Sequence, residues 1–377
     1  MANSWKLRAE TILGACVRPV PGVTQQRTCR IFAHMSFPPV YTTYARPLRV
    51  AFLLSNSPLL GSTTLNAQQP ATSIGAHAAP FVIPAWAFPT SPAPSPAPVP
   101  DSVAPRRVPN ATRTFTMAEV QNGYNIPDWF PASHPSMPSP VQYGRKPGAR
   151  ACAFCHLANG SGRPENATLA GLPAEYTRKQ VAAFRDGTRL SANPAASSNS
   201  MHVVAKAATD SDVAIAADYF AKLTLTRRNR VVESARAPKT RIEIMLFALD
   251  GAGTEPIAGR LVEVPESFER HELRDPGVLY TTYVPPGSIE RGRRIATNGP
   301  AGPATACAKC HGPNLLGVGA IPPIAGRSPS NILRQLINLR SGARHEDGSA
   351  TMTPIVEKLA VGDMVALAAY LGSRRPY

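Results

Sequence analysis

The sequence predicts a mainly α chain in which two similar helical domains stand in tandem, separated by a small β-containing insertion and preceded by an N-terminal region with no fold of its own. Three observations predict this. A C-x-x-C-H pentapeptide occurs twice, at Cys152–His156 and at Cys307–His311, and residues around the two copies repeat with it. The interval between the copies alternates apolar and polar residues in strand fashion. Many of the 40 prolines crowd between Pro80 and Pro109, where no packed core could form. At 377 residues the chain is longer than one domain of ~100–150 residues. The expected units are a leader over 1–67, a proline-rich linker over 68–111, a first helical domain over 112–224, the insertion over 225–286 and a second helical domain over 287–377.

In the leader, Arg46 and Arg49 precede the apolar run Val50-Ala51-Phe52-Leu53-Leu54, and small and polar residues follow to Asn66-Ala67. This is the pattern of a secretory signal peptide, with Met35 as a candidate start and cleavage expected near Ala67 or Ala78. The run is far shorter than the ~20 apolar residues that cross a bilayer, and Asn56 and Pro58 interrupt it. An N-terminal extension without a targeting role is the alternative.

From Pro84 to Pro109 the recurrent prolines favour extended polyproline II geometry, hence a disordered, semi-rigid tether. In the insertion, Arg241–Phe247 and Leu261–Val264 read as strands, with a turn expected at Gly251 and Gly253. A linker with little regular structure is the alternative there.

The chemistry lies in the pentapeptides. Of six cysteines, Cys16 and Cys29 stand near the start, and the other four form the pairs Cys152/Cys155 and Cys307/Cys310. C-x-x-C-H is the pattern of covalent haem attachment. Two thiols three positions apart, on a turn entering a helix, reach two vinyl groups on one porphyrin edge, and the following histidine faces the iron. A closed zinc site would usually draw four ligands from paired clusters. A thiol redox pair would sit in a βαβ pattern, and neither copy does.

The surroundings repeat at an offset of 155: Gln180 on Gln335, Gly187 on Gly342, Arg189 on Arg344. Segments 178–185 and 333–340 each read as a short amphipathic helix closed by glycine. At an offset of 151 the halves align again, Met201 on Met352, Asp212 on Asp363 and Tyr219 on Tyr370. Each aspartate stands near a helix start, where a carboxylate suits the free amides. An electron-transfer haem needs a second axial ligand opposite histidine, and methionine sulfur is a common one. Met201 and Met352, each expected in a loop before a C-terminal helix, are the candidates. Met364 reads as core, and His134, Met137, His202 and His345 recur in only one half.

These residues resemble class I c-type cytochromes, and the tandem looks like the diheme cytochrome c4 family, over roughly 136–224 and 287–377. The resemblance implies two covalently bound haem c groups, one on Cys152 and Cys155 with His156 and Met201 axial, the other on Cys307 and Cys310 with His311 and Met352 axial. It implies a small all-α fold for each domain, and a glycine in the first helix meeting an aromatic in the last, which Gly292 with Tyr370 fits better than Gly144 with Tyr219. The family's carbonyl acceptor for the axial imidazole maps to Pro322 in the second half and to Ala167 in the first.

The formal charge is +16, and a chain starting at Gln68 has 33 basic and 23 acidic residues. Such a balance suits an acidic redox partner or an anionic membrane surface. No nucleic-acid motif accompanies it. Arg227, Arg228 and Arg230 read as a docking patch or as an ordinary solvated surface. The expected function is electron transfer in the periplasm, by a carrier or by the electron-accepting subunit of a dehydrogenase or oxidase complex, with a dehydrogenase, a cytochrome complex or a terminal oxidase as partner and peripheral membrane association allowed. The alternative is a diheme enzyme of peroxidase or thiosulfate-oxidising type. Beyond residue 67 every cysteine belongs to a C-x-x-C-H motif, so none is left to replace methionine on an iron.

Overall fold

Apolar side chains within the proline-rich stretch decide where it goes. The computed structural model describes residues 81–91, 103–196 and 198–377, so the leader, Cys16, Cys29 and the run 92–102 lie outside the described residues. Ala85–Ala87 makes one 3-10 turn, and Ala87 and Phe88 are buried in the core of the second half. Arg334 Nε donates to the Ala87 carbonyl at 2.9 Å. Further on, β1 (Pro105–Arg106) pairs antiparallel with β2 (Phe115–Thr116), and Val108 is buried. The expectation of no fold over 68–111 is therefore corrected for 81–91 and 103–111. Proline-rich backbone has few hydrogen bonds of its own, but its apolar residues anchor on surfaces that the domains supply.

α1 (Met117–Val120) starts on a capping box between Thr116 and Glu119. With Trp129 and Leu273 it forms a small separate core, and Trp129 Nε1 donates to the Leu273 carbonyl at 2.9 Å. Residues 108–129 thus pack against the insertion. Pro138 and Pro140 hold α2 (Ser139–Gln142) to a single turn. The rest of the first half is α3 (Cys152–His156), α4 (Ala174–Asp186), α5 (Ser198–Ala207) and α6 (Asp210–Ala221) around Val141, Phe154, Ala170 and Phe220. α4 closes on Gly187 at φ 80°, the left-handed cap anticipated for it.

The insertion contains β3 (Asn229–Glu233), β4 (Arg236–Glu243), β5 (Leu246–Pro256), β6 (Val262–Pro265), α7 (Phe268–Glu272) and β7 (Tyr280–Val284). β7 is the middle strand of a sheet, parallel to β3 and antiparallel to β6. The chain leaving the first half and the chain entering the second thus lie side by side. β4 and β5 form a hairpin whose turn is at Ile244-Met245, not at the glycines. Gly251 and Gly253, at φ 62° and 104°, instead absorb a bulge opposite Lys239, a conformation that side chains with Cβ resist. All four β6 residues are buried, so alternation there does not mark a half-exposed strand.

The second half runs α8 (Ser288–Asn298), α9 (Cys307–His311), α10 (Pro329–Arg340), α11 (Thr353–Val356) and α12 (Val361–Ser373). α12 is apolar on most of its circumference because α8, α10, β3 and β7 all pack on it. Gly292 is where α8 crosses α12 beside Tyr370. In each half an arginine upstream of the motif grips the aspartate of the last helix: Arg145 with Asp212 at 2.6 Å, Arg291 with Asp363 at 2.7 Å.

The repeated residues meet one another where the halves join. Gln180 Oε1 accepts from both Arg189 and Arg344, and so does Gln335 Oε1, at 3.1–3.2 Å for the three longer bonds. Backbone bonds Leu190 to Ala343 (2.8 Å) and His345 to Thr188 (2.9 Å) flank this ring. The arrangement is locally two-fold, like an isologous dimer interface built within one chain.

Candidate haem sites

Both C-x-x-C-H motifs form one short helix, α3 and α9, each entered from an extended alanine and left through a residue at positive φ, Leu157 (64°) and Gly312 (81°). One helical turn places the two thiols three residues apart on one side. Cys152, Cys155, Cys307 and Cys310 are all free and partly buried. Burial pushes the Cys152 thiol up to about 12 and Cys307 to about 11, and raises Cys155. Such thiols are protonated at neutral pH, unlike the activated thiolate of a redox pair.

The two histidines are held alike. His156 Nδ1 bonds to the Ala167 carbonyl at 2.7 Å and His311 Nδ1 to the Pro322 carbonyl at 2.8 Å. A carbonyl only accepts, so Nδ1 carries the proton and Nε2 keeps its lone pair for an electrophile. Burial lowers both imidazole pKa values, against the opposing effect of the carbonyl bond, and so favours the neutral, ligating form. The loop carrying each acceptor closes back under its motif: Gly162 donates to the His156 carbonyl at 3.0 Å and Gly317 to the His311 carbonyl at 2.8 Å.

The methionines differ. Met352 immediately precedes α11 and packs against the second core, after Gly348 and before Pro354. Met201 lies inside α5, not in a loop, which corrects that expectation. No glycine or proline interrupts Asn199–Ala207, so the helix begins earlier in the first half. Its neighbour His202 bonds through Nδ1 to the Phe184 carbonyl at 2.6 Å. His134 pairs with Asp128 at 3.2 Å and His345 with the Gly342 carbonyl at 2.9 Å. Met364 is fully buried core.

Free cysteine pairs, a tautomer that frees Nε2, and the same loop closure in both halves fit a porphyrin held by thioether bonds and an axial imidazole. Among the described residues, no group of three or more His, Cys, Asp or Glu side chains could hold a metal ion alone.

Sequence reasoning missed the buried arginines. Arg228, within the presumed surface patch, is buried: its guanidinium bonds to Ser161, to the Gly162 carbonyl at 3.0 Å and to the Val278 carbonyl at 2.9 Å. It ties the insertion to the loop after the first motif. The signal was weak, because a lone arginine in a basic run reads as solvated unless its partners are known.

The cytochrome c family profile matches residues 289–375. The thiosulfate dehydrogenase electron acceptor of Stutzerimonas stutzeri (strain A1501) is 30% identical over 237 residues, 62% of this chain and 83% of that protein. Cytochrome c4 of Azotobacter vinelandii is 31% identical over 138 residues, 32% of this chain and 66% of that protein. Among solved structures, the thiosulfate dehydrogenase of Marichromatium purpuratum in its as-isolated form is similar at 26% identity and a TM-score of 0.41, covering 60% of this chain and 37% of that one.

Proposed function

The chain belongs to the tandem, cytochrome c4-like family of class I c-type cytochromes, which transfer electrons and bind haem c covalently, and from that premise we propose that it holds two haems and accepts electrons from a thiosulfate-oxidising dehydrogenase in the periplasm. Cys152 and Cys155 would anchor one group and Cys307 and Cys310 the other, with His156 and Met201 as the residues that would hold the first iron and His311 and Met352 the second. The observation that carries this reading is the duplicated imidazole-to-carbonyl bond, His156 to Ala167 and His311 to Pro322. His202 and His345 also bond a carbonyl through Nδ1, but only His156 and His311 do so directly after a pair of cysteines.

Bound haem c supplies a one-electron iron couple. The chain's own residues orient and insulate it. Ala167 and Pro322 fix the imidazole planes and raise ligand basicity. Phe154 and Phe220 in the first half, and Leu333, Ile337 and Leu367 in the second, contribute apolar cores that exclude water. The ring of Gln180, Gln335, Arg189 and Arg344 holds the halves in one arrangement, so little reorganisation accompanies transfer. Export fits covalent attachment, and among the described residues no helix is long and apolar enough to cross a membrane.

Haem stoichiometry and spectra of the matured protein test this. Two thioether-bound, low-spin haems per chain are expected, and Met201→Ala and Met352→Ala should each open one iron to carbon monoxide. Reduction by a thiosulfate dehydrogenase supplied with thiosulfate tests the partner. Pigment that washes out in acidified acetone, or one haem per chain, overturns the two-haem reading; a protein that stays oxidised beside the turning-over dehydrogenase overturns the partner assignment.

A further inference from the structure

The two motifs are alike in backbone but differ at one position. Phe154 occupies the third place of the first C-x-x-C-H and Lys309 the third place of the second. Lys309 is exposed to water. Phe154 is buried, and a residue of the insertion covers it: the Arg274 guanidinium carbon lies 3.7 Å from the Phe154 ring centroid, and its Nη1 donates to the Phe154 carbonyl. Arg274 also donates through Nε to the Val120 carbonyl at 3.1 Å and through Nη2 to Gln121 at 3.3 Å. Its backbone sits at φ 54°, and Trp129 donates to the carbonyl of the residue before it. Arg274 is therefore pinned from several directions onto the first attachment turn.

The charges around it do not cancel. Arg163 pairs with Glu165 at 2.9 Å, both nearly buried, and His271 reaches Glu165 at 3.4 Å. Arg150 approaches the Phe154 ring at 5.6 Å. Glu272 is 3.8 Å from His271 and about a quarter exposed. Arg163 is matched by Glu165 and Arg150 is exposed to water, so the cation held directly on the first turn is Arg274, while Glu272 stands beside His271. Burial lowers the Arg274 pKa to about 10, which still leaves it cationic at neutral pH. The second turn has Lys309, whose charge water and salt screen.

We infer that Arg274, carried by the insertion onto the first C-x-x-C-H turn, is a positioning residue that raises the reduction potential of the first haem relative to the second. Reduction of a ferric site adds one electron and removes one unit of positive charge, so a fixed cation nearby stabilises the reduced form. At a separation on the order of 10 Å and an effective dielectric near 20, one charge shifts a one-electron equilibrium by about tenfold. The insertion is thus more than a spacer, since it makes two repeated domains electrically unequal. This inference rests on the two-haem reading.

Potentiometric titration of the full, matured chain with soluble one-electron mediators tests it, with haem stoichiometry measured on the same sample. In Arg274→Gln, the reduced-to-oxidised ratio of one haem at fixed ambient potential should fall about tenfold, about 59 mV for one electron, while the other haem stays put. Arg274→Lys, which restores the charge, should recover most of the shift, which a purely structural role would not. Glu165→Gln should move the same haem in the opposite direction, and keeps the test decisive if Arg274→Gln does not fold. Repeating the titration in Met352→His, which displaces the second haem's step, identifies the step that moves as the first haem's. Equal movement of both haems, no movement, or a lysine variant that behaves like glutamine overturns the role of Arg274 while two haems are still counted; a single haem overturns the reading beneath it.

Discussion

Gly292→Ala separates packing from propensity at the crossing of α8 and α12. A Cβ at position 292 would lie 2.0 Å from the Ala366 carbonyl oxygen, 2.6 Å from its carbon and 2.8 Å from Tyr370 Cβ. In a helix interior, glycine to alanine alone gains about 1 kcal/mol. Overpacking a filled site costs about 1–3 kcal/mol and sometimes more, and here the obstacle is backbone, which no rotamer change can move. With the obstacle in the backbone the cost falls at the upper end, so the net loss is expected at about 2 kcal/mol, a fall in Tm of roughly 4 °C or more. Thermal melts followed by far-ultraviolet circular dichroism read it directly. Gly348→Ala is the control, because a Cβ there meets nothing within 4 Å, and its Tm should stay near that of the parent. If the Gly292→Ala protein melts at or above the parent, the close approach of the two helices is wrong and propensity alone rules the site.

Further outcomes are expected elsewhere. The Arg145 guanidinium, helped by the Thr209 amide and hydroxyl, holds the Asp212 carboxyl well below the usual carboxylate range. A depressed folded-state pKa means that its stabilisation is present above the ordinary carboxylate pKa and drains away as pH falls through the lower folded value. Asp212→Asn should cost about 1 kcal/mol at pH 7 by urea unfolding, and the deficit should narrow steadily below about pH 4; a deficit that widens in acid would contradict the pairing. Arg334 donates to the carbonyls of Ala87, Pro164 and Met245, joining the N-terminal segment, the first half and the hairpin. Arg334→Ala should cost about 3 kcal/mol and speed proteolytic cutting within 81–91, and unchanged cleavage would show that this segment is held by other contacts. Gln180→Leu and Gln335→Leu should each destabilise by about 1–3 kcal/mol, with strong non-additivity in the double variant, since each oxygen serves both Arg189 and Arg344. Additive losses would argue against a shared ring.

The two C-x-x-C-H turns were legible because their chemistry is local: two thiols and an imidazole on one helical turn need no distant partner to be recognised. The repeat was legible for a related reason, since Gln180 and Gln335, Arg189 and Arg344, and Asp212 and Asp363 stand at constant offsets in the chain. Where a reading depended on what lay opposite, it faltered. The bulge that uses Gly251 and Gly253 exists because β4 and β5 pair out of step, which only the partner strand imposes. Phe88 reads as part of a tether until the surface of α10 is known to receive it.

The amino-acid sequence alone determined where the two C-x-x-C-H turns lie and that a β-containing piece separates two related helical halves. Those features are short-range, and each follows from residue chemistry within a few positions. The tertiary structure decided that the repeated glutamines and arginines face each other, that Arg228 is buried against the loop after the first motif and Arg274 lies half-buried over Phe154, and that the insertion grips both halves. Such facts depend on which surfaces meet, because desolvation and hydrogen bonding are set by neighbours in space. Neighbours more than a hundred positions apart leave no trace in local spacing.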